Sequence, residues 1–329
     1  MKERITWIDV AKGFGIFLVV YGHNFPVTET YIYTFHMPLF FMIAGFFHPE
    51  KLNARNIKKR FKSLVVPYFL WAFILYLFWL FAGRKFGVSA TQNLSIEKNF
   101  IGIFYGQGGM QYMDWGIPMW FLLAIFNTFL LFGLVKMIRH KILQVIVLLL
   151  LILLGFLLPE IYPVHYVWSF DVALVSLVFY AFGYYVFPYL KALNKRELII
   201  LVIILALLHF GLFRYNSKVD MYRSQYGNIF WFIFNGITGS VFYLLLFKLL
   251  KNVPFLNYLG KNTIPILAMQ LRAMTVIKVF LVFVLGYTVL EFNETEKFFY
   301  AIVQIILILP VIYIINKYLP VLNGKSKKI

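Results

Sequence analysis

Lys12, His23 and His36 are the side chains of the amino-terminal region with the greatest chemical potential, because each interrupts an otherwise apolar run. A titratable group at such a place is costly to bury and marks a functional site by default. Lys12 and His23 are eleven residues apart. On a helix turning about 100° per residue they share one face, separated along the axis by about 16 Å. They cannot touch the same atom, but they can hold opposite ends of one extended ligand. Asn24 follows His23, and His36 opens the next apolar run within Thr34-Phe35-His36-Met37-Pro38. A lone histidine at a helix end is commonly an interfacial polar residue, whereas two from adjacent helices suit a functional site. No carboxylate or third ligand lies near them in sequence, so no metal is expected.

Other polar residues extend this set. Asp9 stands three residues before Lys12 and faces it on a helix. The pair reads either as a structural ion pair or as part of the site. Lys58-Lys59-Arg60-Phe61-Lys62 is the densest basic patch. It suits anionic-lipid contact or a phosphate clamp built from Lys59, Arg60 and Lys62, since arginine offers phosphate a bidentate fork. Gln270 and Arg272 interrupt a late apolar run. An arginine midway along a span faces a bundle interior or a watery cavity, and Asp171 is a candidate partner. Trp120 is either an interface anchor or a cavity wall.

The elements that position these residues are membrane helices. Of 329 residues, 62% are hydrophobic and 13% charged, against about 25% charged in a soluble domain. The net charge of +18 raises nucleic-acid binding, but the basic residues lie in short clusters between apolar runs, so no nucleic-acid partner is expected. There are no cysteines and hence no disulfides. Ten runs approach the length of about 20 apolar residues that a spanning helix needs: 5–23, 32–48, 64–82, 117–135, 142–158, 170–188, 197–213, 227–250, 262–286 and 298–318. The second is short and contains Pro38, which predicts a tilted or broken helix. The first follows Lys2 and Arg4 as a signal peptide would, yet lacks a cleavage site and is read as retained. With the amino terminus inside, 21 of the 31 Lys and Arg residues fall on the cytoplasmic side, as the positive-inside rule requires. The expected fold is an all-α polytopic membrane helix bundle of about ten spans in the lipid bilayer, with both termini cytoplasmic and one domain over residues 1–329. The long outer connection, residues 83–116, reads as a flexible segment whose Tyr105, Tyr112 and Trp115 suit the membrane interface or a sugar face.

Several stretches together resemble the membrane-bound acyltransferase 3 family, and within it the proteins similar to fucose 4-O-acetylase. They are Trp7-Ile8-Asp9-Val10-Ala11-Lys12-Gly13, the Lys12 to His23 spacing, Phe35-His36-Met37-Pro38-Leu39-Phe40-Phe41, and Ala44-Gly45-Phe46-Phe47. Lys59-Arg60 through Pro67-Tyr68 and Trp120-Phe121-Leu122 complete the set. The resemblance implies a multi-pass plasma-membrane enzyme that moves an acetyl or other short acyl group from cytoplasmic acetyl-CoA, a co-substrate, to a hydroxyl of a carbohydrate or cell-surface glycan. The family pattern treats the histidine at the position of His23 as catalytic, with a basic residue where Lys12 stands. Many members carry arginine at the latter position and a late histidine where Gln270 falls.

On this reading Lys59, Arg60 and Lys62 dock the nucleotide end of acetyl-CoA, whose long arm passes Lys12 and Asp9. His23 is the general base. His36 or Trp120 orients the sugar or donates to the oxyanion, and Asn24, Gln270 and Arg272 line the acceptor. Direct transfer and an acyl-histidine intermediate both remain open. The rival reading is a secondary transporter or flippase for a glycan or lipid-linked sugar. That reading requires inverted repeats, and the sequence offers none.

Overall fold

The computed structural model describes residues 4–287 and 290–325. The basic residues Lys2, Lys327 and Lys328, counted above for sidedness, lie outside them. Among the described residues the regular structure is helical. The first half runs through α1 (Thr6–Gly22), α2 (Glu29–Tyr33), α3 (His36–Phe46), α4 (Ala54–Phe81), α5 (Gly87–Thr91), α6 (Ile96–Tyr105), α7 (Gly109–Met113) and α8 (Trp120–Lys136). The second half comprises α9 (Lys141–Ile161), α10 (Phe170–Ala192), α11 (Lys195–Leu212), α12 (Ile229–Leu250), α13 (Pro254–Gly260), α14 (Thr263–Phe283) and α15 (Glu294–Tyr318).

Among the described residues eight helices are long and apolar enough to cross a bilayer: α4, α8 to α12, α14 and α15. They coincide with the last eight of the ten expected runs, so the chain is an all-α polytopic membrane protein. The first run forms α1 within a residue of its expected bounds, and only the second folds differently. α1 has 17 residues. The second run breaks at Thr34-Phe35 into α2, with 5 residues, and α3, with 11. At about 1.5 Å per residue α3 is too short to span alone.

The helices form two compact units interleaved in sequence. The first holds residues 1–43, 185–220 and 225–318; the second holds 44–184, 221–224 and 319–329.

In the first unit, α13 presses against the start of α1 at two glycines. A Cβ on Gly13 would lie 1.8 Å from the Leu256 carbonyl oxygen, and one on Gly260 would lie 1.7 Å from that of Asp9. Only glycine permits so close a backbone crossing. The end of α10 is closed by Lys248, whose Nζ donates to the carbonyls of Leu190, Lys191 and Leu193 at 2.7, 3.1 and 3.2 Å. Free carbonyls at a helix C-terminus favour such a cation. A capping box at Asn194 and Glu197 then starts α11.

In the second unit, a Cβ on Gly45 would stand 2.1 Å from the Tyr180 carbonyl oxygen, so α3 ends directly on the backbone of α10. The outer connection is folded rather than loose. It contains α5, α6 and α7, and Gly102 allows α6 to meet the Tyr112 carbonyl. Asn99 donates to the carbonyls of Ser95 and Gln111 and accepts from the Asp114 amide, while the Trp115 indole donates to the Asn99 carbonyl. Trp115 is therefore wholly buried and forms part of a core, not an exposed interface ring.

Candidate active site

The predicted residues of α1 cluster as their spacing requires. Asp9 is buried, and its carboxylate accepts from the Arg4 guanidinium and from Lys12 Nζ, the latter at 3.2 Å. The pairing of Asp9 with Lys12 is thus present, and Arg4 makes it a triad that α13 overlies. A buried carboxylate without such partners is strongly disfavoured in a membrane. Lys12 keeps about a quarter of its side chain exposed, at 26%.

Eleven residues on, His23 caps the carboxyl end of α1 with helical backbone angles, so the helical register carries through to it and both side chains lie on one face. Its Nδ1 stands 2.6 Å from the Val19 carbonyl oxygen. A carbonyl can only accept, so Nδ1 carries the proton, and a neutral ring then presents its lone pair at Nε2. His36, two helices later at the start of α3, makes the same contact. It is buried, and Nδ1 donates to the Ile32 carbonyl at 2.8 Å. The two histidines lie within electrostatic reach of one another. This arrangement supplies two imidazoles of fixed tautomer, one at the end of α1 and one at the start of α3.

Asn24 extends the group across the unit. Its amide nitrogen donates to the Val20 carbonyl at 3.0 Å and to Gln304 Oε1 at 2.7 Å. Gln304 in turn donates to the Gln270 carbonyl at 3.1 Å. Gln270 is completely buried, and neither atom of its side-chain amide has a hydrogen-bond partner. Such an amide is costly to leave unmatched, and it stands in the same network as the residue next to His23. Arg272, two positions on, is half-buried. Asp171, its candidate partner, lies in the second unit, where Oδ2 accepts from Ser224 Oγ at 2.5 Å.

The remaining predicted residues also belong to the second unit. Trp120 is buried at the start of α8 and packs on Tyr222 at 5.8 Å between ring centroids. Tyr222 accepts from the Gly109 amide at 2.6 Å, and its ring also stacks on the exposed His165. Trp120 is thus buried rather than an exposed anchor. In the first turns of α4, Lys59 and Lys62 are exposed, while Arg60 is half-buried with its guanidinium over the Phe129 ring. The three basic residues therefore do not form one face.

Sequence reasoning passed over Gln304, His209 and His48. Gln304 is a single amide within an apolar helix, and His209 a single imidazole in Leu207-Leu208-His209-Phe210. The rule that polar groups inside spans carry function was available for both. His209 is fully buried against Tyr31 and Phe35, and neither ring nitrogen has a partner. Gly239 provides its space, since a Cβ there would fall 2.7 Å from Nε2. Among the described residues no group of three or more His, Asp or Glu side chains is placed to hold a metal.

The chain is thus a polytopic helical membrane protein whose first helices carry a lysine, two imidazoles and an asparagine tied to buried amides. Residues 5–317 match the model of a family described as Acyltransferase domain, and the chain belongs to this acyltransferase 3 family. Comparisons with curated proteins and with solved structures gave no match. The family makes the protein a membrane acyltransferase.

Proposed function

We propose that the protein moves an acetyl or other short acyl group from acyl-CoA to a hydroxyl of a carbohydrate or cell-surface glycan at the plasma membrane, with His23 as general base. The observation that carries this reading is the contact of His23 Nδ1 with the Val19 carbonyl. It leaves Nε2 free to take a proton, which is the tautomer a base needs. The hydroxyl proton passes to Nε2 as the sugar oxygen attacks the thioester carbon. The carbon–sulfur bond breaks, and the imidazolium returns the proton to the departing thiolate. A positioned base of this kind contributes about 10²–10⁴ in rate.

The other residues take supporting roles. Lys59, Arg60 and Lys62 start α4 on the side that the positive-inside rule assigns to the cytoplasm. Their donor chemistry fits the phosphates of acyl-CoA. Lys12, held by Asp9, guides the long arm towards His23 on the same face of α1. His36, Asn24 and the unmatched amide of Gln270 supply donors and acceptors for the sugar. One well-placed donor to a developing oxyanion is worth about 10²–10³. Arg272 contributes to acceptor binding.

Transfer of label from radioactive acetyl-CoA to extracted glycan tests the reading, using membranes with wild-type protein, His23→Ala or no protein. Label entering glycan with wild type alone supports it. Equal label with wild type and empty membranes, across several glycans and acyl donors, refutes it.

A further inference from the structure

The carboxyl end of α3 delivers His48 into the second unit, and nothing in the reading above uses it. Its ring is buried among Phe129, Phe132, Tyr180 and Tyr184, with centroid distances of 5.1, 4.9, 5.6 and 5.9 Å. Nδ1 stands 2.9 Å from the Tyr180 hydroxyl. A phenol is the better donor, so Tyr180 gives its proton to Nδ1 and Nε2–H becomes a donor in its own right. That Nε2 is buried and has no partner. A solitary buried donor is a rare and costly feature.

Two cations flank the ring. The Arg60 guanidinium lies 5.5 Å above Phe129, and Lys136 Nζ lies 4.7 Å above Tyr184, so each rests on a ring that also touches His48. Both are within electrostatic reach of the imidazole. Among the described residues Arg60 forms no ion pair. The surrounding chain adds little negative charge: residues 49–63 hold one carboxylate, Glu50, against six Lys and Arg side chains. The loop joining His48 to α4 is seated on α8, because Gly133 leaves room for Leu52, whose Cδ2 a Cβ would meet at 2.8 Å. His48, Arg60 and Lys136 are thereby held on three elements around one aromatic lining.

A donor imidazole between two cations is matched by an anion with several acceptor oxygens. We infer that His48, Arg60 and Lys136 form a phosphate-binding site at the cytoplasmic end of the second unit, with His48 Nε2–H as its central donor. Two sources carry that chemistry: the nucleotide phosphates of acyl-CoA and a phospholipid head group. The first rests on the acyltransferase reading above; the second does not.

The test uses the full chain in nanodiscs. Coenzyme A and dephospho-coenzyme A binding is measured by calorimetry in phosphatidylcholine. Thermal stabilisation is measured when phosphatidylglycerol replaces part of that lipid. Wild type is compared with His48→Gln and with Lys136→Gln, whose half-buried position keeps the test valid should the first variant misfold. Each variant is expected to bind coenzyme A about tenfold or more weakly, with a smaller loss for dephospho-coenzyme A if the 3′-phosphate is the group held. Loss of the phosphatidylglycerol effect with unchanged coenzyme A binding assigns the same phosphate site to a lipid. Wild-type binding of coenzyme A that neither variant alters, with the lipid effect also intact, overturns this site but leaves the acyl-donor reading standing. Absence of coenzyme A binding to wild type, with the lipid effect unaltered in the variants, overturns both.

Discussion

His23 Nδ1 donates to the carbonyl oxygen of Val19 at 2.6 Å, one helical turn behind it. This single contact fixes both the tautomer and the direction of the ring, so the basic nitrogen is the one turned away from α1. His36 repeats the device against Ile32.

The first prediction concerns that nitrogen. His23→Asn keeps an amide donor for the Val19 carbonyl but has no proton acceptor of comparable basicity. Acyl transfer is expected to fall by about 10²–10⁴, while the melting temperature in detergent stays near that of wild type. Activity within a few-fold of wild type at matched expression would remove His23 from the reaction.

The second separates the two roles open to Lys12. Asp9 is shared between Arg4 and Lys12, so losing one partner leaves it incompletely compensated. In a double-mutant cycle with Asp9→Asn and Lys12→Met, the stabilities are expected to be non-additive by about 0.5–3 kcal/mol. The double variant should recover stability without recovering activity. Should it also recover transfer, the pair is only structural.

The third addresses the buried amides. Gln304→Leu removes the acceptor of Asn24 and the donor to the Gln270 carbonyl. Side-chain hydrogen bonds inside membrane proteins average about 0.6 kcal/mol and reach about 1.7, so the stability loss should be modest. The KM for the glycan acceptor is expected to rise severalfold with that for acyl-CoA unchanged. An equal change in both would make Gln304 a packing residue.

The fourth concerns the crossing of α1 and α13. Gly13→Ala places a methyl group where the Leu256 carbonyl stands. The backbones must separate, at a cost of at least about 1–3 kcal/mol. Gly211→Ala in α11 has open space around it, with no heavy atom within 4 Å of the added carbon. It should change stability by no more than about 0.5 kcal/mol. Thermal unfolding of the two variants side by side distinguishes a tight crossing from a generic intolerance of alanine.

Much of this architecture is local and so was legible in the chain. Length and hydropathy of an apolar run decide whether a helix can span, which is why α4, α8 to α12, α14 and α15 were found where expected. The helical period alone placed Lys12 and His23 on one face and Asp9 beside Lys12. Pro38 and the short second run foretold a tilted or broken helix there, whereas residues 83–116 read as a flexible segment and are instead folded into a core around Asn99 and Trp115.

The tertiary structure alone decided the long-range contacts. Asn24 finds Gln304 across 280 residues, and Gly260 meets the backbone of Asp9 across most of the chain. Hydrogen bonds and backbone crossings of that kind leave no periodic trace, because each needs only one suitable residue on either side. The same holds for His48, which sits at the end of an apolar stretch that gives no sign of its partners. Its ring lining is contributed mainly by α8 and α10. Composition and period specify which helices enter a bilayer; how they pack specifies which polar atoms are left without partners, and in a membrane those atoms are where chemistry is done.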